Sequence, residues 1–345
     1  MIEIDGAQRS GSGTIVRYGV AFSALLGRPL HLFNVREKRE KPGLRSQHLR
    51  SVIACAEMCG AKTEGVSVGS REFQFIPGAR IKGGVFAWNI GTAGSTTMLA
   101  LSILPLACFA DALVNAQITG GVFQDFAPSP HHMKHVLTPL LQRMGLNMRL
   151  EIIRAGYVPK GAGLIELTVT PVKDTLKALS LTSQGVIEEV SGIAFSSHLE
   201  QRRVSERMAS VCEERLANAG LSGKIERIYD KAAMHPGASL AVWSQSSTGC
   251  ILGADRAGAL GRRSEAIGRF VAEAFLADKA TGATVDRHVA DQIAIFAALA
   301  EGTSHYLAPR RTEHLESNLW VAEQFGAKVA LQGDYVTVEG SGFRR

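Results

Sequence analysis

Three stretches of the chain carry apolar residues at helical spacing and then stop at a glycine. They are HLRSVIACAEMCG ending at Gly60, HHMKHVLTPLLQRMG ending at Gly145 and HLESNLWVAEQFG ending at Gly326. Apolar residues three or four positions apart predict amphipathic helices, and a glycine after the last of them is a common helix stop. Alternating apolar and polar residues follow in REFQFIPG, GLIELTVTP and DYVTVEG, and they predict the strands that close each stretch.

Another helix is predicted upstream of each of these three helices. It lies in GSGTIVRYGVAFSALLG, in GTAGSTTMLALSILPLACFA and in VDRHVADQIAIFAALAEG. The same unit of helix, strand, helix and strands therefore occurs three times. This repetition predicts an α/β fold of three repeated units, each with two helices on a four-stranded sheet.

The spacing of the three glycines predicts an inserted domain. Gly60 and Gly145 are 85 residues apart, whereas Gly145 and Gly326 are 181 residues apart. The excess of 96 residues has the size of a small domain. We therefore predict a large domain of residues 1–183 and 281–345, interrupted by a small α/β domain of residues 184–280. Within the insert, GVIEEVSGIAFSS, SLAVWSQS and CILGADRAG predict strands, and SERMASVCEERLANAG and SEAIGRFVAEAFLADKA predict helices.

The composition is that of an ordinary globular protein, since 46% of the 345 residues are hydrophobic and 20% are charged. The sequence has no run of about 18 apolar residues, so we expect no membrane span and no membrane partner. The first residues, MIEIDGAQRS, lack the pattern of a signal peptide, which favours a cytoplasmic location. Nothing in the pattern indicates an oligomeric state.

Five cysteines are scattered along the chain. An odd number without a secretion signal argues against a disulfide framework. Cys55 and Cys59 lie four residues apart on a predicted helix, which is the spacing of half a metal site. No second pair accompanies them, so we expect buried thiols and assign no metal ligand.

The segment DGAQRSGSGTIVR, residues 5–17, alternates glycine and serine before an apolar helix. Such a loop turns backbone N–H groups toward an anion, and the helix N-terminus favours negative charge. The segment fits neither the P-loop nor the dinucleotide-binding pattern. Its alternative interpretation is a tight turn between a strand and a helix. The segment GTAGSTT, residues 91–97, repeats the device in the second unit.

Three more segments are candidates for binding. In DRHVADQ, residues 286–292, Asp291 and Gln292 suit hydrogen bonds to a sugar or base and His288 suits stacking, although a helix start with capping acids explains the same pattern. Residues 36–50 hold six basic residues against two acidic ones, which is typical of a solvated face or of a phosphate-binding patch. In residues 120–135, His131 and His132 are adjacent and cannot face the same way on a helix. The prolines and aromatic residues of that loop suit a wall for a planar base.

His314 occupies the first turn of a predicted helix for which Thr312 is the N-cap. The positive end of a helix dipole disfavours protonation of an imidazole. A surface histidine beside a cap is the simpler interpretation, and a neutral, exposed nucleophile is the other. Since neither a nucleophile elbow nor a paired-carboxylate signature is present, histidines are the candidates for covalent chemistry.

In this order, these segments resemble the RNA 3′-terminal phosphate cyclase family. The matching pieces are IDG…GSG.IVR, REKREKPGLRSQHL, IGTAGSTTMLALSILP, GYVPKGAGLIEL, HVADQ and HLESN. The likeness runs through about 250 residues of the three repeats and is weaker in the insert. The family has three related α/β units and an inserted small domain, which agrees with the spacing of the glycines.

The resemblance implies an ATP-dependent reaction that converts the 3′-phosphate end of an RNA to a 2′,3′-cyclic phosphate, with Mg²⁺ or Mn²⁺ accompanying the nucleotide. It implies that a histidine attacks the α-phosphorus of ATP, that AMP passes to the RNA 3′-phosphate, and that the neighbouring 2′-OH displaces it. The family's nucleophile maps to His314. The resemblance also implies that the nucleotide and phosphates are contacted by His288, Val289, Ala290, Asp291, Gln292, Pro128, Arg17, Arg36, Arg39 and Gln47.

Two positions depart from the family pattern. Ser10 stands where members commonly carry a glutamate near the metal, and Leu101 stands where many carry a glutamine that helps to hold the nucleotide. These changes keep alive the alternative of a non-catalytic RNA-binding or ribosome-assembly protein on the same fold, although such relatives lack the nucleophilic histidine. An enolpyruvyl-transferase-like enzyme shares the repeated unit but needs two full sets of repeats, which disfavours it.

Overall fold

The computed structural model describes residues 1–344, and one sheet topology recurs in it three times. In the first unit, β1 (Ile2–Asp5) leads through α1 (Gly13–Leu26) to β2 (Leu30–Phe33), which pairs with β1 in parallel. Then α2 (Ser46–Cys59) leads to β3 (Lys62–Glu64) and β4 (Phe73–Ile76), which pair antiparallel. The sheet order is β1-β2-β4-β3, so the last strand lies between the second and the third.

The second unit repeats this order. Its first half is β5 (Gly84–Asn89), α3 (Thr96–Cys108) and β6 (Val114–Gly120). The second helical segment begins as α4 (Pro130–His132), passes through a π-helical turn at Met133–Leu137 and ends as α5 (Thr138–Arg143). The strands β7 (Asn147–Arg154) and β8 (Gly163–Thr170) complete a sheet of order β5-β6-β8-β7.

The short strand β9 (Ser180–Leu181) precedes an additional α/β segment. That segment comprises β10 (Glu189–Ser197), a 3₁₀ turn at Glu200–Arg202, α6 (Val204–Asn218), β11 (Ser222–Asp230), β12 (Gly237–Gln245), β13 (Ile251–Ala257) and α7 (Ser264–Ala280). Its sheet has the order β11-β10-β12-β13, so the segment is not a fourth copy of the repeat. It buries its own apolar cluster, in which Val190, Met208, Leu240 and Phe275 take part. The domain boundaries at residues 184 and 280 stay a prediction.

The third unit resumes after this segment and uses β9 as its first strand. It continues with α8 (Val289–Gln292), α9 (Ala294–Leu299), β14 (Thr303–Leu307), α10 (Glu313–Gln324), β15 (Lys328–Gln332) and β16 (Tyr335–Glu339). The sheet order is β9-β14-β16-β15, the same as in the other two units. The insert therefore interrupts the third unit between its first strand and its first helix.

The predicted α/β class and its four-stranded sheets are confirmed. Gly60, Gly145 and Gly326 follow the ends of α2, α5 and α10 with φ angles of +65°, +97° and +97°, a region in which a side chain is strained. Two elements differ from the prediction. The strand β11 was not expected because the adjacent charged residues Glu226 and Arg227 interrupt the alternation of polar and apolar positions in SGKIERIYD. The helix expected from residue 285 onward is broken at Ile293 into α8 and α9.

The helices of the three units pack together, since α1 contacts α2, α3 and α10. One continuous apolar core lies between these helices and the three sheets. The five cysteines are free and buried, as expected. Within residues 1–344, no helix has the length and apolar character that crossing a bilayer requires.

Candidate active site

His314 lies in the first turn of α10, and the N-cap predicted for that helix is confirmed. The Thr312 hydroxyl accepts a hydrogen bond from the backbone N–H of Leu315 at 3.0 Å. Partial withdrawal of the imidazole from water, together with the positive charges of Arg17 and Arg39, lowers the pKa of His314 to about 4. The ring is therefore neutral at pH 7, with its lone pair available for reaction.

The glycine–serine loop of the first unit faces this histidine. Ser12 is the N-cap of α1, and its Oγ lies 3.5 Å from Nδ1 of His314. The hydroxyl of Ser10 lies 2.9 Å from that of Ser12 and 2.7 Å from that of Ser317 on α10. A line of three hydroxyls thus runs from α10 through the loop and back to the His314 ring.

A histidine of the first unit fixes the shape of this loop. Nε2 of His48 lies so close to Gly13 that a Cβ on that residue would stand 2.1 Å from it. Burial and four surrounding arginines hold the pKa of His48 well below its usual value. The neutral His48 ring accepts at Nδ1 from the Arg45 backbone N–H at 3.3 Å, so it is anchored in place. Only glycine fits at position 13, which explains one of the glycines of the loop.

A cavity of about 200 Å³ lies between α1, α3, α8 and the first turn of α10. Six of the residues predicted for the site line it: His314, His288, Asp291, Gln292, Pro128 and Arg17. The other lining residues are Thr14, Tyr18, Met98, Leu101, Phe126, Ala127 and Asn318. Segments separated by up to three hundred positions in sequence meet here.

Arg17 places a buried guanidinium at the wall of this cavity. Among residues 1–344 it has no hydrogen-bond or ion-pair partner. Burial lowers its pKa to about 10, so it stays charged at pH 7. Buried charges in proteins are normally paired, and a guanidinium suits the oxygens of a phosphate. Apart from the Coulombic attraction of the Asp291 carboxyl, the guanidinium is unengaged, so the cavity offers a cation to an anionic ligand.

Asp291 lies in the same cavity as Arg17. Burial raises the pKa of its carboxyl to about 7, although the positive charge of Arg17 opposes the shift. A carboxyl group that is half protonated at neutral pH both donates and accepts hydrogen bonds. The Asp291 carboxyl can therefore donate or accept a hydrogen bond beside Arg17.

The backbone of α8 is tied to both neighbouring helices. Asn318 Nδ2 donates to the Asp291 carbonyl at 2.8 Å, and the Thr14 hydroxyl donates to Asn318 Oδ1 at 2.6 Å. The Tyr18 hydroxyl donates to the same carbonyl at 2.9 Å. Gln292 Oε1 is buried and has no hydrogen-bond partner in the described part of the chain. An unpaired buried acceptor is costly, so a ligand with an N–H or O–H donor fits this wall of the cavity.

Asp286 confirms the capping interpretation of DRHVADQ. Its Oδ1 accepts from the backbone N–H groups of His288 and Val289 at 2.8 and 2.9 Å. Its Oδ2 lies 2.9 Å from Nε2 of the buried His132. Burial opposes the charge on both groups, but their mutual attraction raises the pKa of His132 to about 9 and lowers that of Asp286 to about 2. The pair is ionic at pH 7 and joins the second unit to the third.

The junctions between successive units follow one plan. The start of each second helix contacts the cap of the next unit's first helix. In the first junction, Gln47 Oε1 accepts from the N–H of Ser95, the N-cap of α3, at 3.0 Å. In the second, His132 binds Asp286. In the third, His314 faces Ser12 across 3.5 Å beside the open cavity.

The remaining predicted residues lie outside the lining of the cavity. Arg36 donates from Nη1 to the carbonyls of Lys41 and Gly43 at 2.9 and 2.8 Å, so it fixes its own loop. Arg39 acts on His314 through its charge. The side chains of Val289 and Ala290 are buried in the core. Nucleotide contacts by these residues and by Gln47 stay predictions.

Sequence reasoning did not assign several residues that shape the site. Thr14, Asn318, Ser12, Ser317 and the His132–Asp286 pair were missed because their partners lie hundreds of positions away. The segment HLESN held a signal, since Ser317 and Asn318 follow His314 on the face of α10 that meets α1. His131 and His132 do face different ways: His131 stacks on Phe123 at 5.6 Å between centroids, whereas His132 binds Asp286.

The donors that line the cavity do not suit the expected Mg²⁺ or Mn²⁺. Both cations prefer several oxygen ligands, mostly carboxylates. Asp291 is the one carboxyl group in the lining, and at the position of the family's glutamate Ser10 offers a hydroxyl. Residues 1–344 contain no group of three or more His, Cys, Asp or Glu side chains that suits a metal ion. Within this described range, the side chains around the cavity do not assemble a metal site.

Comparison with known proteins places this chain in a family. A model of the RNA 3′-terminal phosphate cyclase family matches residues 8–331. The RNA 3′-terminal phosphate cyclase of Pyrobaculum aerophilum is 35% identical and covers 100% of this chain and 99% of the relative. Those of Methanopyrus kandleri and Pyrococcus furiosus are 37% and 36% identical, covering 94% and 95% of this chain and 93% and 94% of the relatives.

Among solved structures, the enolpyruvyl transferase NikO from Streptomyces tendae aligns at a TM-score of 0.39 with 11% identity. The alignment covers 99% of this chain and 48% of that one, a likeness too low to bear on function. The family model, from residue 8 onward, and the full-length relative both cover the serines of the glycine–serine loop, the basic residues 36–50 and the first turn of α10. The chain belongs to the RNA 3′-terminal phosphate cyclase family.

Proposed function

We propose that this protein converts RNA 3′-phosphate ends to 2′,3′-cyclic phosphates with ATP, through a covalent histidine–AMP intermediate on His314. The observation that carries the proposal is the neutral His314 ring at a helix N-terminus, in the same cavity as the unpaired Arg17. Membership of the family and the names of the full-length relatives support the same activity.

In the first step, Nε2 of His314 attacks the α-phosphorus of ATP. A P–N bond forms, the bond from the α-phosphorus to the bridging oxygen breaks, and pyrophosphate leaves. Because Nδ1 faces Ser12, Nε2 is the nitrogen left for the attack. Arg17 meets the charge that develops on the phosphate oxygens, as preorganised cations do in phosphoryl-transfer sites. The backbone N–H groups of the first turn of α10 favour the same anion.

In the second step, an oxygen of the RNA 3′-phosphate attacks the same phosphorus and the P–N bond breaks, which returns His314 to its neutral form. In the third, the neighbouring 2′-OH attacks the 3′-phosphorus, loses its proton and displaces AMP. The ring closes as the phosphoanhydride bond breaks, so every bond formed is matched by one broken. The basic residues 36–50 are proposed to hold the RNA phosphates near His314.

The base end of ATP is proposed to lie between Pro128 and His288. Both line the cavity, and Gln292 Oε1 supplies an unpaired acceptor beside them. An amino group on the base would satisfy that acceptor. The accompanying Mg²⁺ or Mn²⁺ stays a prediction from the family resemblance.

The test is to incubate the full chain with ATP labelled at the α-phosphate and to separate protein from nucleotide under denaturing conditions. We expect acid-labile label on the wild type and none on His314→Ala or His314→Asn. The matched control is His235→Ala, which removes a histidine of the insert that lies outside the cavity. Label retained by both His314 variants, or none on folded wild type with either metal, would contradict the proposal. The latter result would favour a non-catalytic RNA-binding protein.

A further inference from the structure

A second cavity of about 210 Å³ adjoins the one that holds His314. It lies between the loop of residues 124–127 and the insert, and Phe126, Ala127 and His288 line both cavities. Its far wall is made by Arg256 on β13, Phe270 on α7 and Arg310 just before α10. A ligand that extends from the His314 cavity past Phe126 therefore enters a space bounded by the insert.

Phe126 stands fully exposed at the boundary between the two cavities. Its φ angle is +65°, a region that bulky residues rarely occupy because of steric strain. An exposed phenyl ring in such a conformation gains nothing from burial in the chain itself. Strained residues of this kind persist where the surrounding structure fixes them, and they concentrate at binding sites.

The insert supplies the contacts that fix this loop. Asp125 is held by Arg262, Nη2 to Oδ2 at 2.7 Å, and by Arg256, Nε to Oδ1 at 3.2 Å. On the other side of Phe126, the backbone N–H of Ser129 donates to Asp255 on β13 at 2.5 Å. Two anchors from the insert therefore bracket the exposed ring and present it to solvent.

Arg310 is the cation of this cavity that is left for a ligand. Arg287 is bound to Asp278 through Nη2 at 2.5 Å, and Arg256 is engaged by Asp125 while its guanidinium lies 4.3 Å from the Phe270 ring centroid. Arg310 is exposed and has no hydrogen-bond or ion-pair partner among residues 1–344. An exposed aromatic ring and a free arginine thus face one space.

We propose that this second cavity binds a nucleotide of single-stranded RNA upstream of the reacting 3′ end, with its base stacked on Phe126 and a backbone phosphate at Arg310. Aromatic platforms combined with basic side chains are the recurring way in which proteins hold single strands, because every base has a π-face. The inference rests on the proposed function for the identity of the reacting end. It gives the insert a role, namely to hold the Phe126 loop and to close the acceptor site.

The test measures binding of a 3′-phosphorylated pentaribonucleotide to the full chain in the absence of ATP. Phe126→Ala should weaken binding by roughly tenfold, and Arg310→Ala should reduce the slope of log K against log salt by about 0.7. Arg310→Lys should recover that slope, because it restores the charge. The matched controls are Leu260→Ala, an equally exposed apolar residue of the insert, and Arg269→Ala, an exposed arginine of α7.

Acceptor length separates this subsite from the His314 cavity. The loss in Phe126→Ala should be large for the pentanucleotide and small for a nucleoside 3′-phosphate, which does not reach the second cavity. Unchanged pentanucleotide binding, or an effect confined to the KM for ATP, would overturn the subsite; the latter would make Phe126 a wall for the ATP base. Because RNA binding is measured without ATP, a failure to form histidine–AMP would refute the proposed activity and leave this result standing.

Discussion

Ser12 Oγ and His314 Nδ1 face each other across 3.5 Å, which joins the cap of α1 to the first turn of α10. The equivalent contacts at the other two junctions are closed by shorter hydrogen bonds, Gln47 to Ser95 at 3.0 Å and His132 to Asp286 at 2.9 Å. Three similar junctions therefore differ in one respect. Two hold the units together, and the third leaves an imidazole beside a cavity.

This contact predicts that Ser12 positions the His314 ring. In Ser12→Ala, adenylylation should slow by about fivefold, the equivalent of losing one hydrogen bond of about 1 kcal/mol. The same change removes the cap of α1. Ser12→Thr is therefore the matched control, because its hydroxyl can both cap α1 and contact His314. The ¹⁵N shifts of His314 should show Nδ1–H as the main tautomer in wild type and a mixture in Ser12→Ala. Identical shifts in the two proteins would refute the positioning role.

The lowered pKa of His314, about 4, predicts an unusual pH profile for the first step. The reactive form is the neutral ring, so activity falls only as protons bind. A histidine with the ordinary pKa of about 6.5 would lose half its activity at that pH. In Asp291→Asn, which removes the cavity carboxyl that titrates near pH 7, single-turnover adenylylation should stay level from pH 8 to about pH 5.5 and decline below it. A midpoint near 6.5, measured on protein that remains folded by circular dichroism, would show that the cavity does not depress this pKa.

Arg17 predicts a conflict between stability and function. Its guanidinium is buried without a partner among the described residues, so Arg17→Met removes an uncompensated charge and keeps most of the side-chain volume. Thermal unfolding should occur at the same or a higher temperature, because burying an unpaired charge is costly. Adenylylation should fall by at least a hundredfold. A large fall in melting temperature would mean that Arg17 is structural.

Variants of the His132–Asp286 pair should show the opposite effect on stability from Arg17→Met. Removing one partner leaves the other charge buried, so His132→Ala and Asp286→Asn should each cost about 3–5 kcal/mol of unfolding free energy. The double variant should cost less than the sum, which a double-mutant cycle measures. Additive costs would show that the two side chains do not interact.

The pH dependence of the same pair follows from its shifted pKa values. The pKa of His132 is raised to about 9. Its contribution to folding stability is therefore complete below about pH 6.5 and is lost as the pH rises through 9. The pKa of Asp286 is lowered to about 2. Its contribution to folding stability is therefore complete above about pH 4 and is lost as the pH falls through 2. The difference in stability between wild type and His132→Ala should therefore be largest between about pH 4 and 6.5. A difference that grows above pH 9 would contradict the assignment.

Signals between neighbouring residues were enough to predict the local elements and their repetition. Helical spacing and the stops at Gly60, Gly145 and Gly326 predicted three of the helices, because these signals act between neighbours in the chain. The cap at Thr312 and the capping acid of DRHVADQ could be predicted for the same reason. The strand β11 was not predicted because the adjacent Glu226 and Arg227 interrupt the alternation on which strand prediction depends.

Which residues share the site depends on how the three units pack together. Ser12 and His314 are 302 positions apart, so no local pattern can pair them. The family resemblance implied nucleotide contacts for Val289, Ala290, Asp291 and Gln292 alike. In the fold, the helical turn buries the first two side chains in the core and directs the other two to the cavity. The absence of a partner for Arg17 is a property of the folded surroundings. Charge, burial and distance between remote segments arise only when the three units pack together, and these quantities make the site.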